Sequence, residues 1–275
     1  MSNERSRGIS VVSPSIPPRN GQVWGRHLRE LPAQVWRRLV PKRTVKARGV
    51  RFTLRCETWI TEWRWRNFRT KEPETLDWID RWVKDGETFF DIGANIGEFS
   101  LYAALRHPRL HVVAFEPEYA NVHLLRDNLM ENGLQDRVTV YSIALGNRTG
   151  VSHLHIQDAT PGAALHTESS GALGLTRTHK PVIWQEGVYT MTLDAFCEET
   201  GLSPKSMKID VDGTEREILE GASRTLRSPA LRTLVVEMFG GPHVRDACAR
   251  LLHEAGLRRM WWNPGQSENE IWIRA

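Results

Sequence analysis

The chain has 275 residues, 40% of them hydrophobic and 25% charged, with a formal net charge of +4. That is enough for one full apolar core, and three cysteines far apart, Cys56, Cys197 and Cys248, with no C-x-x-C pair, exclude a disulfide scaffold and a cysteine zinc site. No window offers the ~18 apolar residues of a membrane span, and the start lacks the apolar core of a secretion signal, so a cytoplasmic protein is expected.

Charge is unevenly spread. Residues 1–50 carry eleven Lys and Arg against two acids, a net +9, which leaves −5 for the rest. A basic arm on an acidic body suits an intramolecular contact or an anionic partner. Residues 1–22, rich in Ser, Pro and Arg, read as a disordered basic tail. Residues 23–69 read as a basic, Trp-rich arm and strand, and 70–275 as the main domain. Between Val23 and Val40, Trp24, Leu28, Leu31, Val35, Trp36 and Leu39 recur at helical spacing among arginines, and Pro32 splits them into two short helices. This stripe is expected to dock on the domain itself; the alternative is an anionic membrane surface, met peripherally.

Val50, Phe52, Leu54 and Cys56 alternate with polar residues and predict a strand. Trp59, Trp63 and Trp65, with Arg64 and Arg66 alongside, have the composition of a glycan cleft, although core packing explains most of the eleven tryptophans more simply. Pro73 starts a helix with Leu76, Ile79, Trp82 and Val83 on one face, ended by Gly86.

Next comes a β-loop-α-β unit. Thr88–Asp91 is an apolar strand, Gly93 and Gly97 bracket a turn, and the helix from about Gly97 to Leu105 presents unpaired N–H groups. Leu110–Phe115 is the second strand. Glu116 ends it, an acid placed to accept hydrogen bonds from a ribose diol, 25 residues beyond Asp91. The glycines are spaced G-x-x-x-G, whereas a pyrophosphate binder wants G-x-G-x-x-G. Asp91 before the loop would repel phosphate and suits a ligand bearing an ammonium. S-adenosylmethionine (SAM) has that ammonium, a carboxylate, a ribose and no phosphate.

Further strands are predicted near Arg137–Ile143, Met207–Val211 and Thr233–Met238, with helices after Pro117, Gly213 and Pro242. Leu257–Trp262 and Glu270–Arg274 form a closing hairpin around Asn263-Pro264-Gly265. Residues 146–197 are an insertion at the ligand edge, with strands at Val151–Ile156 and Val188–Leu193 flanking a polar, Gly-rich stretch, the natural place for substrate recognition. His153 and His155 share a strand face. With no third ligand evident nearby, no metal is assigned.

Four segments, Asp91-Ile-Gly-Ala-Asn-Ile-Gly97, Phe115-Glu-Pro117, Ala144-Leu-Gly146 and Lys208-Ile-Asp-Val-Asp-Gly-Thr-Glu215, resemble those of the FkbM-type methyltransferases. The similarity runs from about Thr70 to Glu237. It implies a class I, Rossmann-like α/β fold with a mostly parallel seven-stranded sheet, a C-terminal antiparallel hairpin and a β insertion before the fourth strand. It also implies SAM-dependent methylation of a hydroxyl, in most such proteins on a sugar or natural product. Asp212 departs from the pattern, which usually has Glu there. With the loop reading, the resemblance sets SAM against Asp91, Gly93, Ala94, Asn95, Gly97, Glu116, Pro117 and Ala144.

Methyl transfer from a sulfonium asks for alignment and a base. Acids at strand C-termini are the candidates: Asp210 or Glu237 first, His243 third, with Asp212 beside them. Each has a plainer role, Glu237 pairing with Lys208 and His243 as a solvated residue. The expected partner is a small-molecule or glycan acceptor. A nucleic-acid binder using the basic arm, or a non-catalytic SAM-binding scaffold, is the alternative; nucleic acid is not the expected partner.

Overall fold

Strands that are apolar on both faces must be covered on both, and five segments of this chain have that character. The computed structural model describes residues 39–164, 166–169, 181–239, 241–263 and 265–274. The basic tail and nearly all of the helical stripe expected at 23–40 lie outside them. Residues 41–275 form one unit.

Its centre is a seven-stranded sheet. β3 (Thr88–Ile92), β4 (His111–Phe115) and β5 (Val138–Tyr141) run parallel in that order to one side of β3. β10 (Ser206–Ile209) and β11 (Thr233–Glu237) run parallel to them on the other side. β12 (Leu257–Trp262) and β13 (Asn269–Arg274) are the closing hairpin, and β13 inserts antiparallel between β11 and β12. The mostly parallel α/β sheet and the hairpin are those expected; which hairpin strand would pair with β11 was not written in the local pattern.

Side chains alternate between two cores, as period-two geometry requires. Phe89, Val112, Ala114, Val235 and Ile271 face one layer with Leu76, Trp78, Ile79, Leu101 and Tyr102. Phe90, Val113, Phe115, Leu234, Val236 and Trp272 face the other with Phe196, Ile218, Leu219 and Leu252. The first layer includes α2 (Pro73–Trp82), α3 (Glu98–Arg106) and α4 (Tyr119–Glu131). The second includes α5 (Leu193–Thr200), α6 (Glu215–Glu220), α7 (Ser223–Arg227) and α8 (Pro242–Glu254). The single helix expected after Gly213 is therefore two. Gly221 lies at the break, and a Cβ there would sit 2.0 Å from the Gly146 carbonyl oxygen.

Before the sheet, β1 (Lys42–Ala47) and β2 (Val50–Arg55) form a hairpin whose turn residues, Arg48 and Gly49, both have positive φ. Phe52 and Leu54 enter the first core, while Asn132 and Asn128 side chains accept from the Thr53 and Arg55 amides. α1 (Trp59–Lys71) follows, capped by Thr58 and Thr61 reciprocally. Periodicity does not reveal it, because only Thr61 and Phe68 are buried.

The insertion forms its own sheet. β6 (Ala144–Leu145), β7 (Gly150–Ile156), β8 (Thr167–Ser169) and β9 (Trp184–Met191) lie in the order β6-β9-β7-β8, with β7 antiparallel to both neighbours. The strand expected at Val188–Leu193 begins four residues earlier and ends at Met191, because Thr192 caps α5 and turns the chain. Most of the Gly-rich stretch, 165 and 170–180, lies outside the described residues.

Candidate active site

From β3 the chain winds outward through β4 and β5, then returns to build β10 and β11 on the opposite side. The switch point therefore lies between β3 and β10, and in open α/β sheets ligands bind outside the strand carboxyl ends at that place. Two loops meet there. A Cβ on Gly93, which has φ +81°, would stand 1.8 Å from the Asp210 carbonyl oxygen, so only glycine permits this approach. A cavity of about 410 Å³ opens above the crossing.

On one side the loop after β3 folds back on β4. The Gly93 and Ala94 amides both donate to the Phe115 carbonyl at 3.0 Å. Asn95, with φ +49°, donates its amide to Glu116 Oε2 at 2.8 Å, and the Glu118 amide donates to Glu116 Oε1 at 3.0 Å. Burial pushes the Glu116 carboxyl up to about 7, against the pull of these two N–H groups. The Asn121 side chain also hydrogen-bonds the carboxylate; Glu116 lines the cavity, and an ionised carboxylate with about four acceptor sites keeps capacity to accept from a ribose diol. Gly93, Ala94, Asn95, Pro117 and Ala144 line the same cavity.

Asp91 and Gly97 do not line it. Asp91 is 1% exposed beneath the loop, accepting from Ser100 Oγ at 2.6 Å. Burial raises its carboxyl, partly offset by Lys208 and Ser100. Gly97 heads α3 with φ +88°, and a Cβ there would meet the Leu125 side chain at 2.3 Å. These two residues hold the loop's shape from below.

Opposite, the C-terminal end of β10 carries a buried ion cluster. Lys208 Nζ donates to Asp210 Oδ2 at 2.8 Å and lies 3.9 Å from Asp91 Oδ1. Burial opposes the Lys208 charge, but Asp210, Asp91 and Glu72 outweigh it and hold the ammonium protonated. Burial likewise opposes ionisation of Asp210, yet Lys208, Lys71 and hydrogen bonds from Lys208 and Glu237 keep it well below the usual carboxylate range. A carboxylate so stabilised is a weak base. Asp210, Asp212 and Glu237 all line the cavity, and Asp212 adopts φ +63°. His243, exposed in the first turn of α8, does not line it.

The third wall comes from α1 and the insertion. Arg64, about one-tenth exposed, donates Nη1 to Glu98 at 3.0 Å and Nε to the Gly162 carbonyl at 2.7 Å. The Gly162 backbone amide donates to Asn121 Oδ1 at 2.9 Å, and the side-chain Nδ2 groups of Asn95 and Asn121 both donate to the Ala163 carbonyl. Residues 161–163 thereby strap α1 to the glycine loop and α4. Leu154, Ala164, His166 and Glu168 line the cavity from this side, and Trp63, Phe99 and Phe239 supply aromatic surface. Of the tryptophan run, Trp63 reaches the site, Trp59 is 73% exposed, and Trp65 donates to the Thr44 carbonyl.

Sequence reasoning missed Asn121, Lys208 and His166 as site residues, and named Arg64 only through the tryptophan and arginine run given the composition of a glycan cleft. Lys208 carried a signal, a lone charge inside an apolar strand. Asn121 and His166 depend on long-range contacts and carried none.

The Methyltransferase FkbM domain model matches residues 91–258. The chain belongs to the FkbM methyltransferase family. The FkbM family is SAM-dependent, in accord with the glycine loop and Glu116. Among curated relatives, the 31-O-demethyl-FK506 methyltransferase FkbM of Streptomyces tacrolimicus is 29% identical over 180 residues, 57% of this chain and 66% of that protein. The hexuronic acid methyltransferase AglP of Haloferax volcanii is 28% identical over 215 residues, 78% of this chain and 80% of that protein. Among solved structures, fibrillarin from Aeropyrum pernix, crystallised with natively bound SAM, covers 84% of this FkbM-family chain and 82% of its own, at 10% identity and TM-score 0.47. Among the described residues, no helix is long and apolar enough to cross a membrane, and no group of three His, Cys, Asp or Glu could hold a metal ion.

Proposed function

We propose that this protein transfers the methyl group of SAM to an acceptor hydroxyl, that of a sugar or glycan. The observation that carries the reading is the composition of one continuous cavity. Gly93, Ala94, Asn95, Glu116 and Pro117 suit the nucleoside, while Trp63, Phe239, Asp212 and Thr214 line a further wall. Aromatic faces beside hydrogen-bonding side chains suit a sugar ring, which has apolar faces and a polar rim. AglP, named for a hexuronic acid, supports the sugar class, and the FK506 enzyme supports transfer to oxygen.

In this reading SAM supplies an activated methyl electrophile. Glu116 accepts from the ribose diol, the 93–97 loop takes the nucleoside against the end of β4, and the strap at 161–163 shields it from water. Asp210, tied to Lys208, and Glu237, hydrogen-bonded to it, position the acceptor. Labelled-methyl transfer against pools of glycans, lipids and RNA tests the assignment. Label in the glycan pool, stable to mild base and therefore not an ester, is the expected result. Label in RNA alone would instead support the nucleic-acid alternative, and none in any pool the scaffold.

A further inference from the structure

We propose that a second cavity, between α2 and the closing hairpin, is a subsite for the further units of an uncharged glycan whose reacting sugar lies in the first; the inference rests on the methyl-transfer reading above. It measures about 370 Å³, within the ~300–1,000 Å³ of small-molecule sites. The two cavities share a wall. Lys71 lines both, and Ser267 and Glu268, consecutive in the chain, line one each. The first cavity, about 410 Å³, has to hold SAM and the reacting sugar together, so a longer acceptor must leave it. Across Lys71 it meets the second.

The lining of this second cavity has the two parts a sugar ring needs. Trp82 of α2 and Trp261 of β12, each half-buried against the first core, present flat apolar surface that packing holds in place. Arg81, Asn263 and Gln266 add hydrogen-bonding groups beside them. A pyranose lays its C–H face on the aromatic surface and turns its hydroxyls to such a rim. The walls are also fixed to each other before any ligand binds. Ser267 Oγ at 2.5 Å and Asn269 Nδ2 at 2.9 Å both donate to Glu74 Oε1, which ties the hairpin to α2. Little ordering then remains to oppose binding.

Charge selects among glycans. The lining carries Glu74 and Asp77 against Lys71 and Arg81, a balanced set that gives a polyanion no net attraction. Lys71 is paired with Glu72 and Asp77 with Arg48, so neither is left to hold a ligand charge. Arg81, exposed in the last turn of α2, is engaged by no acid of the described residues, and its N–H groups are available to hydroxyls.

The test compares acceptors of two lengths, with SAM and the full chain: methyl glycosides of glucose, galactose, mannose and N-acetylglucosamine, and the matching trisaccharides. For the sugar that accepts the methyl group, the trisaccharide is expected to show a KM ~10-fold below that of the methyl glycoside. Trp261→Ala and Arg81→Ala should each remove most of that advantage, while kcat and KM for the methyl glycoside stay within twofold of wild type. Arg81 is exposed, so its variant keeps the fold even if Trp261→Ala does not. A wild-type enzyme that does not distinguish the two lengths overturns the proposal, and so does an unchanged trisaccharide KM in either folded variant. A second readout needs no turnover. In saturation-transfer NMR with S-adenosylhomocysteine present, trisaccharide signals should appear with the wild-type protein and weaken in Arg81→Ala; no signal, or an equal one in the variant, overturns the subsite. A dimer in light scattering that Trp261→Ala disperses would make the cavity a contact between copies and overturn it too. If the wild-type protein methylates no glycoside of either length, the sugar-transfer reading fails, and the NMR comparison still decides whether the second cavity holds a glycan.

Discussion

Gly93 shows how much of this site is steric. Its missing Cβ lets the first cofactor loop cross the loop after β10, at a backbone dihedral that L side chains avoid. Gly93→Ala must push the Asp210 carbonyl away or unwind the turn. It is expected to cost about 1–3 kcal/mol of stability, a melting point lower by several degrees, and to abolish measurable SAM binding in calorimetry. Glu116 is the electrostatic counterpart. Glu116→Ala removes charge-assisted hydrogen bonds worth ~1.5–3 kcal/mol, and SAM should bind about 10- to 150-fold more weakly while the fold survives. The carboxyl, raised to about 7 by burial, is half protonated near neutral pH. Its ionised form accepts from the diol more strongly, so SAM affinity should rise between pH 6 and 8, and this rise should be smaller in Glu116→Gln. For stability the sign is opposite. The folded value lies above the unfolded one, so between pH 4.5 and about 7 the unfolded state binds fewer protons, and Glu116 costs the fold stability as pH rises through that window.

At the scale of elements, the strap at 161–163 joins three parts that are distant in sequence. Gly162 has φ +89°, and a Cβ there would lie 2.7 Å from the Thr61 methyl of α1. Gly162→Ala should loosen the strap from Arg64 and Asn121 without touching the central sheet. The expected outcome is a melting temperature within a few degrees of wild type, faster proteolytic cleavage within 158–183, and weaker SAM binding. A variant as protease-resistant as the wild type would show that the strap tolerates the added methyl group. α1 itself makes a related point about legibility. Its capping Thr58 and Thr61 are visible in sequence, but with no apolar stripe the tryptophan and arginine run gave the composition of a glycan cleft and not the helix that carries it. Only the contacts of Phe68 and Arg64 reveal a helix that serves as a wall of the cavity.

The molecule as a whole is closed at one edge by the β12–β13 hairpin, and the buried Glu270 ties that edge to α8. Its carboxylate, fully buried, pairs with Arg245 at 2.8 Å and Arg259 at 3.4 Å and accepts from Trp272 Nε1 at 3.2 Å. Removing one member of a buried pair leaves the other charge uncompensated. Glu270→Ala should therefore cost about 3–5 kcal/mol in chemical denaturation. The loss should appear as global unfolding, because β13 lies between β11 and β12.

What local pattern alone determined was the course of the central unit: the apolar strands, the G-x-x-x-G turn, Glu116 and Asp210 at strand ends, and the closing hairpin. These are legible because burial on both faces and tight turns restrict residue type at each position. Tertiary structure decided the rest. It turned Asp91 and Gly97 inward, seated β13 beside β11, left His243 outside the cavity and tied Asp210 to Lys208. It also carried Arg64, Asn121 and His166 into the walls. None of these outcomes follows from periodicity, because a side chain's role in a site depends on which distant groups desolvate it, neutralise it or leave it without a partner.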